Sequence, residues 1–289
     1  MIEITIPIIV GLIALVVGTY TDFKTREVPD WINYGLIIFG FGISIIYSLV
    51  LSSWNYILFS LAGFVICLGI SMLMFYTGQW GGGDSKMLMA LGSLLGFTLD
   101  FKKDFLLNLL INIVIAGGLY GLGWSIVLGI KNRYRIAVFW RKFIANKVVR
   151  TIRNVILVAV IVLFAVSLLM RDNLYFIYLS LLGLFVIITF YVWAFMKAIE
   201  NVAMLKLVKP EELTDGDWIA KDIYIDKKYI CGPKDLGINK VQIKQLVGFK
   251  KSGKIKDVLI KVGIPFIPSF LIAYIFTVFF GSLIGFLIG

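Results

Sequence analysis

Apolar residues fall in eight long runs, at about 4–20, 33–52, 56–77, 86–99, 105–130, 154–170, 174–196 and 262–288, with the charges gathered between them. A bilayer-crossing helix needs about 20 consecutive apolar residues. The pattern therefore predicts an all-α polytopic membrane protein of about six to eight transmembrane helices. The fifth and last runs are the clearest. The fourth is short and polar at its start, and is expected to reach only partway across. The first run lacks a basic leading region and ends in Tyr20-Thr-Asp22, not in a small-residue cleavage site, so no cleavable signal peptide is expected.

Two stretches break the pattern. Residues 131–153 carry eight basic and no acidic residues, and Ile136, Phe139, Trp140, Phe143 and Val148 recur at roughly helical spacing. This reads as an amphipathic helix lying on anionic lipid, or as a plain basic loop. Residues 197–261 are polar. Short β-type runs at Trp218-Ile219, Ile223–Ile225 and Tyr229–Cys231, with Asp226-Lys-Lys as a hairpin turn, predict a small cytoplasmic β-rich domain. Val241–Val247 reads as a short helix. Asp215, Asp217, Asp222 and Asp226 lack the regular spacing of a calcium loop and read as a solvated face. The organisation expected is a membrane core over 1–130, a basic segment over 131–153, a transmembrane hairpin over 154–196, the small domain over 197–261 and a last helix over 262–289.

Composition supports the membrane reading: 60% of residues are hydrophobic, only 16% are charged, and the mean hydropathy is +0.95. The net charge of +11 is not a nucleic-acid signature, because the basic residues cluster in a few inter-run loops. With the N-terminus outside, 25 of 28 Lys and Arg fall on the inner side, leaving Lys102, Lys103 and Arg171 outside. Without 197–261, too long to obey the rule, the ratio is still 11 to 3. Trp31, Trp54, Trp80 and Trp140 lie near run boundaries, as an aromatic belt would.

The chemistry is narrowed by what is missing. There is no histidine, which removes HExxH zinc sites, Ser-His and Cys-His pairs and imidazole shuttles. Cys67 and Cys231 form no framework and no metal site. No cofactor and no metal is expected. Acid–base work falls to carboxylates, and two of the 17 acidic residues stand against membrane helices: Asp22 in Asp22-Phe-Lys-Thr-Arg-Glu-Val-Pro29, and Asp84 in Gly81-Gly-Gly-Asp-Ser-Lys86. An ionisable group there is a functional candidate by default. The plain alternatives are a cap for a helix starting at Ser85 (Asp84) and an exposed cap or partner of Lys24 and Arg26 (Asp22). Gly81 and Gly83 allow close backbone approach and unusual dihedrals beside Asp84. The phosphate-loop spacing GxxxxGK[ST] is absent.

Taken together, the Asp22–Pro29 stretch, Gly63-Phe-Val-Ile-Cys-Leu-Gly69 and Gly81-Gly-Gly-Asp-Ser-Lys-Met-Leu-Met-Ala-Leu-Gly92 resemble the type IV prepilin peptidase family, especially its archaeal preflagellin branch. The resemblance covers about 1–130, and Pro265-Phe-Ile-Pro268 with the last helix also looks like that branch. It implies a GxGD aspartyl protease with Asp22 and Asp84 catalytic, and Gly81, Gly83 and Pro29 shaping the loops around them. It further implies that precursor signal peptides of type IV pilin-like proteins or archaellins are cut at the cytoplasmic border of the membrane. The partners expected are those precursors and anionic lipid, not nucleic acid. The 154–196 hairpin departs from the six-helix architecture of that branch. The cysteine-rich zinc loop and methyltransferase activity of bacterial relatives are not implied. Two other readings remain at this stage. A presenilin or signal-peptide-peptidase-like protease shares GxGD but places its first aspartate inside a helix in a Tyr-Asp pair. An ion-coupled transporter would use both aspartates without proteolysis.

Overall fold

A computed structural model describes residues 2–98, 104–169, 173–235 and 237–282. In chain order the helices are α1 Ile2–Thr25, α2 Asp30–Val50, α3 Asn55–Tyr76, α4 Gly82–Leu95, α5 Phe105–Lys131, α6 Arg133–Ala145, α7 Lys147–Leu169, α8 Asn173–Val202, α9 Lys240–Lys251 and α10 Ile267–Phe280; the strands are β1 Leu205–Val208, β2 Trp218–Ile219, β3 Ile223–Ile225, β4 Lys228–Cys231 and β5 Val258–Lys261. Among the described residues, six helices (α1, α2, α3, α5, α7 and α8) are long and apolar enough to cross a membrane. This is a multi-pass membrane protein with a small strand region toward its C-terminal part. Lys102, Lys103 and Arg171, the outer residues of the charge count, lie outside the described residues.

The chain forms two compact units. One holds α1–α4, α5 as far as Gly123, and α10; the other holds the rest of α5, α6–α9 and all five strands.

In the first unit, α4 is the centre. Ser85, Met87, Leu88, Ala90, Leu91, Gly92, Ser93 and Leu94 are all buried, so the helix is covered nearly all round. At 14 residues it is about 21 Å long, short of a bilayer's hydrocarbon thickness of about 30 Å. Its partial reach follows from being wrapped by protein. The helix α3 meets it through a stripe of small buried residues: Ser60, Gly63, Cys67 and Ser71. A methyl group at Gly63 would stand 2.4 Å from the Gly92 carbonyl oxygen. The Ser60 hydroxyl donates to the Ser93 carbonyl at 2.5 Å and the Ser71 hydroxyl to the Ser85 carbonyl at 2.9 Å. Backbones approach this closely only where side chains are small. On the other side, a methyl at Gly40 of α2 would lie 2.8 Å from the backbone of Leu94.

The last helix begins at Ile267, five residues later than the apolar run, because residues 262–266 are irregular and Pro268 stands in its first turn. It packs on α1, with the fully buried Tyr274 donating to the Ile8 carbonyl at 3.0 Å. It also meets α5, where the Asn112 side-chain amide donates to Thr277 Oγ1 at 2.8 Å. Asp104 is buried for a local reason: its carboxylate accepts from the backbone N–H groups of Leu107 (2.7 Å) and Thr98 (2.6 Å), capping α5.

In the second unit, α7 and α8 form an antiparallel pair. A methyl at Gly183 would touch Val160 at 3.1 Å, and Phe164 meets Phe176 at 5.7 Å between ring centroids. The helix α6 is amphipathic as its spacing implies. Its apolar residues Ile136, Phe139 and Trp140 pack with Ala198, Ile199 and Val202 of α8, while Arg133, Arg135, Arg141 and Lys142 stay exposed. So Trp140 belongs to a protein contact, whereas Trp31 and Trp54 are 72% and 70% exposed, as a belt requires. The strand pair β3–β4 is a hairpin whose two turn residues, Asp226 and Lys227, both have positive φ (51° and 66°), the geometry of the twisted two-residue turn. The strands β1 and β2 flank β5 in an antiparallel sheet, with Leu205 opposite Lys261 and Ile219 opposite Ile260.

Candidate active site

The register of α1 against α4 brings the two aspartates together. A methyl at Gly11 would lie 3.2 Å from Leu94, and one at Gly18, two turns later, 3.0 Å from Met87, two turns earlier in α4. The helices are therefore antiparallel. Four residues on from Gly18 is Asp22, and four residues back from Met87 is Gly83, so Asp22 stands level with Gly83, beside Asp84.

Both carboxylates sit at helix N-termini. Asp22 is 5% exposed and its Oδ2 accepts the N–H of Ile267, the first residue of α10, at 3.0 Å. Asp84 is the third residue of α4, and its Oδ2 accepts the N–H of Gly81, the residue before the helix, at 3.1 Å. The helix starts at Gly82, earlier than the Ser85 start weighed from the sequence. The Asp84 residue is half-buried, but its carboxyl is densely surrounded. Burial, and next the charge of Asp22, push that carboxyl up to about 7.

The loop between α1 and α2 is shaped by its own backbone. Arg26 takes a left-handed φ of 62°, and its N–H closes a turn on the Asp22 carbonyl at 3.0 Å. The Arg26 guanidinium donates to the Gly263 carbonyl at 3.3 Å, just ahead of α10. Pro29 stands before the first residue of α2 with φ −56° and ψ 135°, turning the chain back. Between them Val28 folds against Gly83: a methyl there would lie 3.3 Å from the Val28 nitrogen.

The glycines differ from expectation in one respect. Gly81 is extended (φ −75°, ψ 167°), and the left-handed residue of this loop is Gly78 (φ 70°), so Gly81 and Gly83 need no special dihedrals. Gly83 serves close approach. If the two aspartates carry the hydrolysis that the resemblance implies, Gly83→Val is expected to cost far more of that activity than Gly118→Ala, because a methyl at Gly118 meets nothing within 4 Å among the described residues. Comparable turnover per folded enzyme in both variants would show that Gly83 has no part in the site.

Sequence reasoning missed Trp80. It packs on Phe266 and Phe270 with ring centroids 5.7 and 5.3 Å away, so it belongs to the core and not to an aromatic belt. It also missed Ile267, whose N–H holds Asp22. The only sequence signal was Pro268, which marks a helix start. Through these contacts the first turn of α10 touches both the residue before Gly81 and the Asp22 carboxylate.

Residues 9–122 match the family model of the type IV leader peptidase family. The matched span contains Asp22, Pro29, Gly81, Gly83 and Asp84, and bears out the resemblance read from the motifs. Three preflagellin peptidases are similar over the same order of length. That of Methanococcus maripaludis is 39% identical over 87 residues, which is 30% of this chain and 37% of that protein. That of Methanocaldococcus jannaschii is 36% identical over 87 residues, 30% of this chain and 37% of that protein. That of Methanococcus voltae is 36% identical over 86 residues, 30% of this chain and 36% of that protein. The chain thus aligns with little more than a third of the length of the curated relatives it matches. The family match ends before α6–α9, the strands and α10.

Proposed function

We propose that this protein is a membrane aspartyl endopeptidase that removes the basic N-terminal signal peptide from type IV pilin-like or archaellin precursors at the cytoplasmic border of the membrane. One observation carries the reading: two poorly hydrated carboxylates, Asp22 and Asp84, stand at one level on neighbouring helices, close enough for the charge of one to raise the pKa of the other. Capping alone accounts for the bonds to Ile267 and Gly81, but it gives no reason to put two like charges side by side, which is costly. A pair that shares one proton can activate water with one carboxylate while the other protonates the scissile carbonyl. In the step proposed, the water oxygen bonds to the carbonyl carbon, its proton passes to the ionised carboxylate, and the C–N bond breaks as the amine takes a proton. The family match over 9–122 and the relatives named preflagellin peptidase support the substrate class.

The cytoplasmic orientation rests on the distribution of 25 inner against three outer basic residues. The exposed basic face of α6 (Arg133, Arg135, Arg141, Lys142) suits anionic lipid headgroups. Gly81, Gly83 and Pro29 shape the loops that hold the pair. The experiment is cleavage of a panel of precursor signal peptides by the reconstituted enzyme, with a membrane-impermeant thiol reagent applied to Lys24→Cys and Lys86→Cys from each side. Cleavage at the border between the basic stretch and the apolar helix is expected, with labelling from the inner side. Cleavage in mid-membrane, or no cleavage of any precursor, refutes the activity; labelling only from outside refutes the orientation.

A further inference from the structure

Asn33 of α2 is completely buried, and neither its side-chain nitrogen nor its oxygen has a hydrogen-bond partner among the described residues. An unmet buried polar atom is destabilising, and a carboxamide has two donor hydrogens and an accepting oxygen to satisfy. Such a group in a membrane helix asks for an explanation.

Its depth in the fold supplies one. The helices α2 and α4 run parallel. Val28 lies against Gly83, Asp30 binds Lys86 at 2.5 Å, and Gly40 meets Leu94. The offset is 53 to 56 residues along this face, which sets Asn33 level with Met87–Leu88. That is about 4.5 Å inward from Asp84, at about 1.5 Å per residue. Asn33 also shares the buried stripe of α2 that includes Gly40 and Ser44. A second orphan stands at the same depth on a different helix. The Oγ1 of Thr19, three residues before Asp22 on α1, is buried with no partner among the described residues, and the α1–α4 register sets Thr19 level with Lys86. Two unmet polar groups on helices flanking the first turns of α4, just below the carboxylates, form the kind of polar surroundings that bind a buried water.

We propose that Asn33 is a positioning residue of the Asp22–Asp84 site, its carboxamide, with the Thr19 hydroxyl, holding a water molecule beneath the carboxylates. This rests on the peptidase reading above. The water completes the hydrogen bonds of Asn33 and presents a donor toward the pair, fixing the carboxylates in working geometry. The alternative is that Asn33 is a tolerated defect of the core.

The two accounts differ in sign. Asn33→Leu keeps the number and branching of the side-chain heavy atoms and removes both orphans. If Asn33 is a defect, the variant melts at the same or a higher temperature in detergent and cleaves normally. If Asn33 positions the pair, kcat per folded enzyme falls roughly 10–100-fold, KM changes little, melting is not lowered, and Asn33→Ser, which retains a hydroxyl and leaves room for water, recovers part of the loss. Thr19→Val is expected to lower kcat in the same direction. Should Asn33→Leu fail to fold, Asn33→Ala with Thr19→Val decides. A kcat within twofold of the parent in the folded Asn33 variant overturns the proposal. If that result comes while Asp22→Asn and Asp84→Asn are inactive, only the role of Asn33 is lost; if either aspartate variant cleaves normally, the peptidase reading itself falls.

Discussion

Asp22→Asn and Asp84→Asn are each expected to lower cleavage by about 10³-fold or more, with folding and membrane insertion retained. On the proposed mechanism the pair acts as one acid–base unit, so losing either carboxylate loses the unit. Folding should survive because the amide replaces each carboxylate at similar size. Its oxygen can still accept from Ile267 or Gly81, and the substitution removes one of two adjacent like charges. In the parent enzyme the pH profile should be bell-shaped and belong to the pair, not to either residue alone. Burial and the neighbouring charge push the Asp84 carboxyl up to about 7, so the pair holds its shared proton below that pH and loses it as pH rises through it. Cleavage should therefore decline on the alkaline side near neutrality. Initial rates on one precursor from pH 4 to 10 test this, and a rate that keeps climbing to pH 10 would contradict a carboxylate acid. Near-parental turnover in either Asn variant would reduce that aspartate to a helix cap.

Gly63→Ala is expected to destabilise the fold strongly, by about 3 kcal/mol or more, while Gly69→Ala on the same helix is neutral or stabilising. At Gly63 the added methyl meets the Gly92 carbonyl oxygen at 2.4 Å and Gly96 backbone at 3.0 Å. These are backbone atoms of α4 and of the glycine that ends it, and cannot rotate away. The helices must part, which strains the bonds from Ser60 to Ser93 and from Ser71 to Ser85 and shifts the helix that carries Asp84. At Gly69 nothing among the described residues lies within 4 Å of an added methyl, and alanine is the better helix former. Thermal unfolding of both variants in detergent makes the comparison. Equal melting temperatures would mean that α3 and α4 are not packed through their small residues.

The sequence by itself marked the six helices long enough to span, because apolar length against bilayer thickness is a local property of the chain. It also singled out Asp22 and Asp84, since a charge at the edge of an apolar run is legible one residue at a time. The β3–β4 hairpin was legible for the same reason: Asp226 and Lys227 sit between two short β-type runs. The tertiary structure decided the rest. Nothing local in Leu205–Val208 and Val258–Lys261 reveals that they pair, since each is four residues long and they are joined across about 50 residues. No pattern in α4 announces that its apolar character serves a protein interior instead of lipid. Above all, the partner of Asp22 is a backbone N–H 245 residues away, at the start of a helix whose first turn is set by irregular chain and Pro268. Hydropathy is blind to such a contact, because a helix N-terminus offers its donors by geometry and not by side-chain type. The same holds for Asn33: its residue type shows in the sequence, but only packing against α4 makes its amide an orphan beneath the two carboxylates.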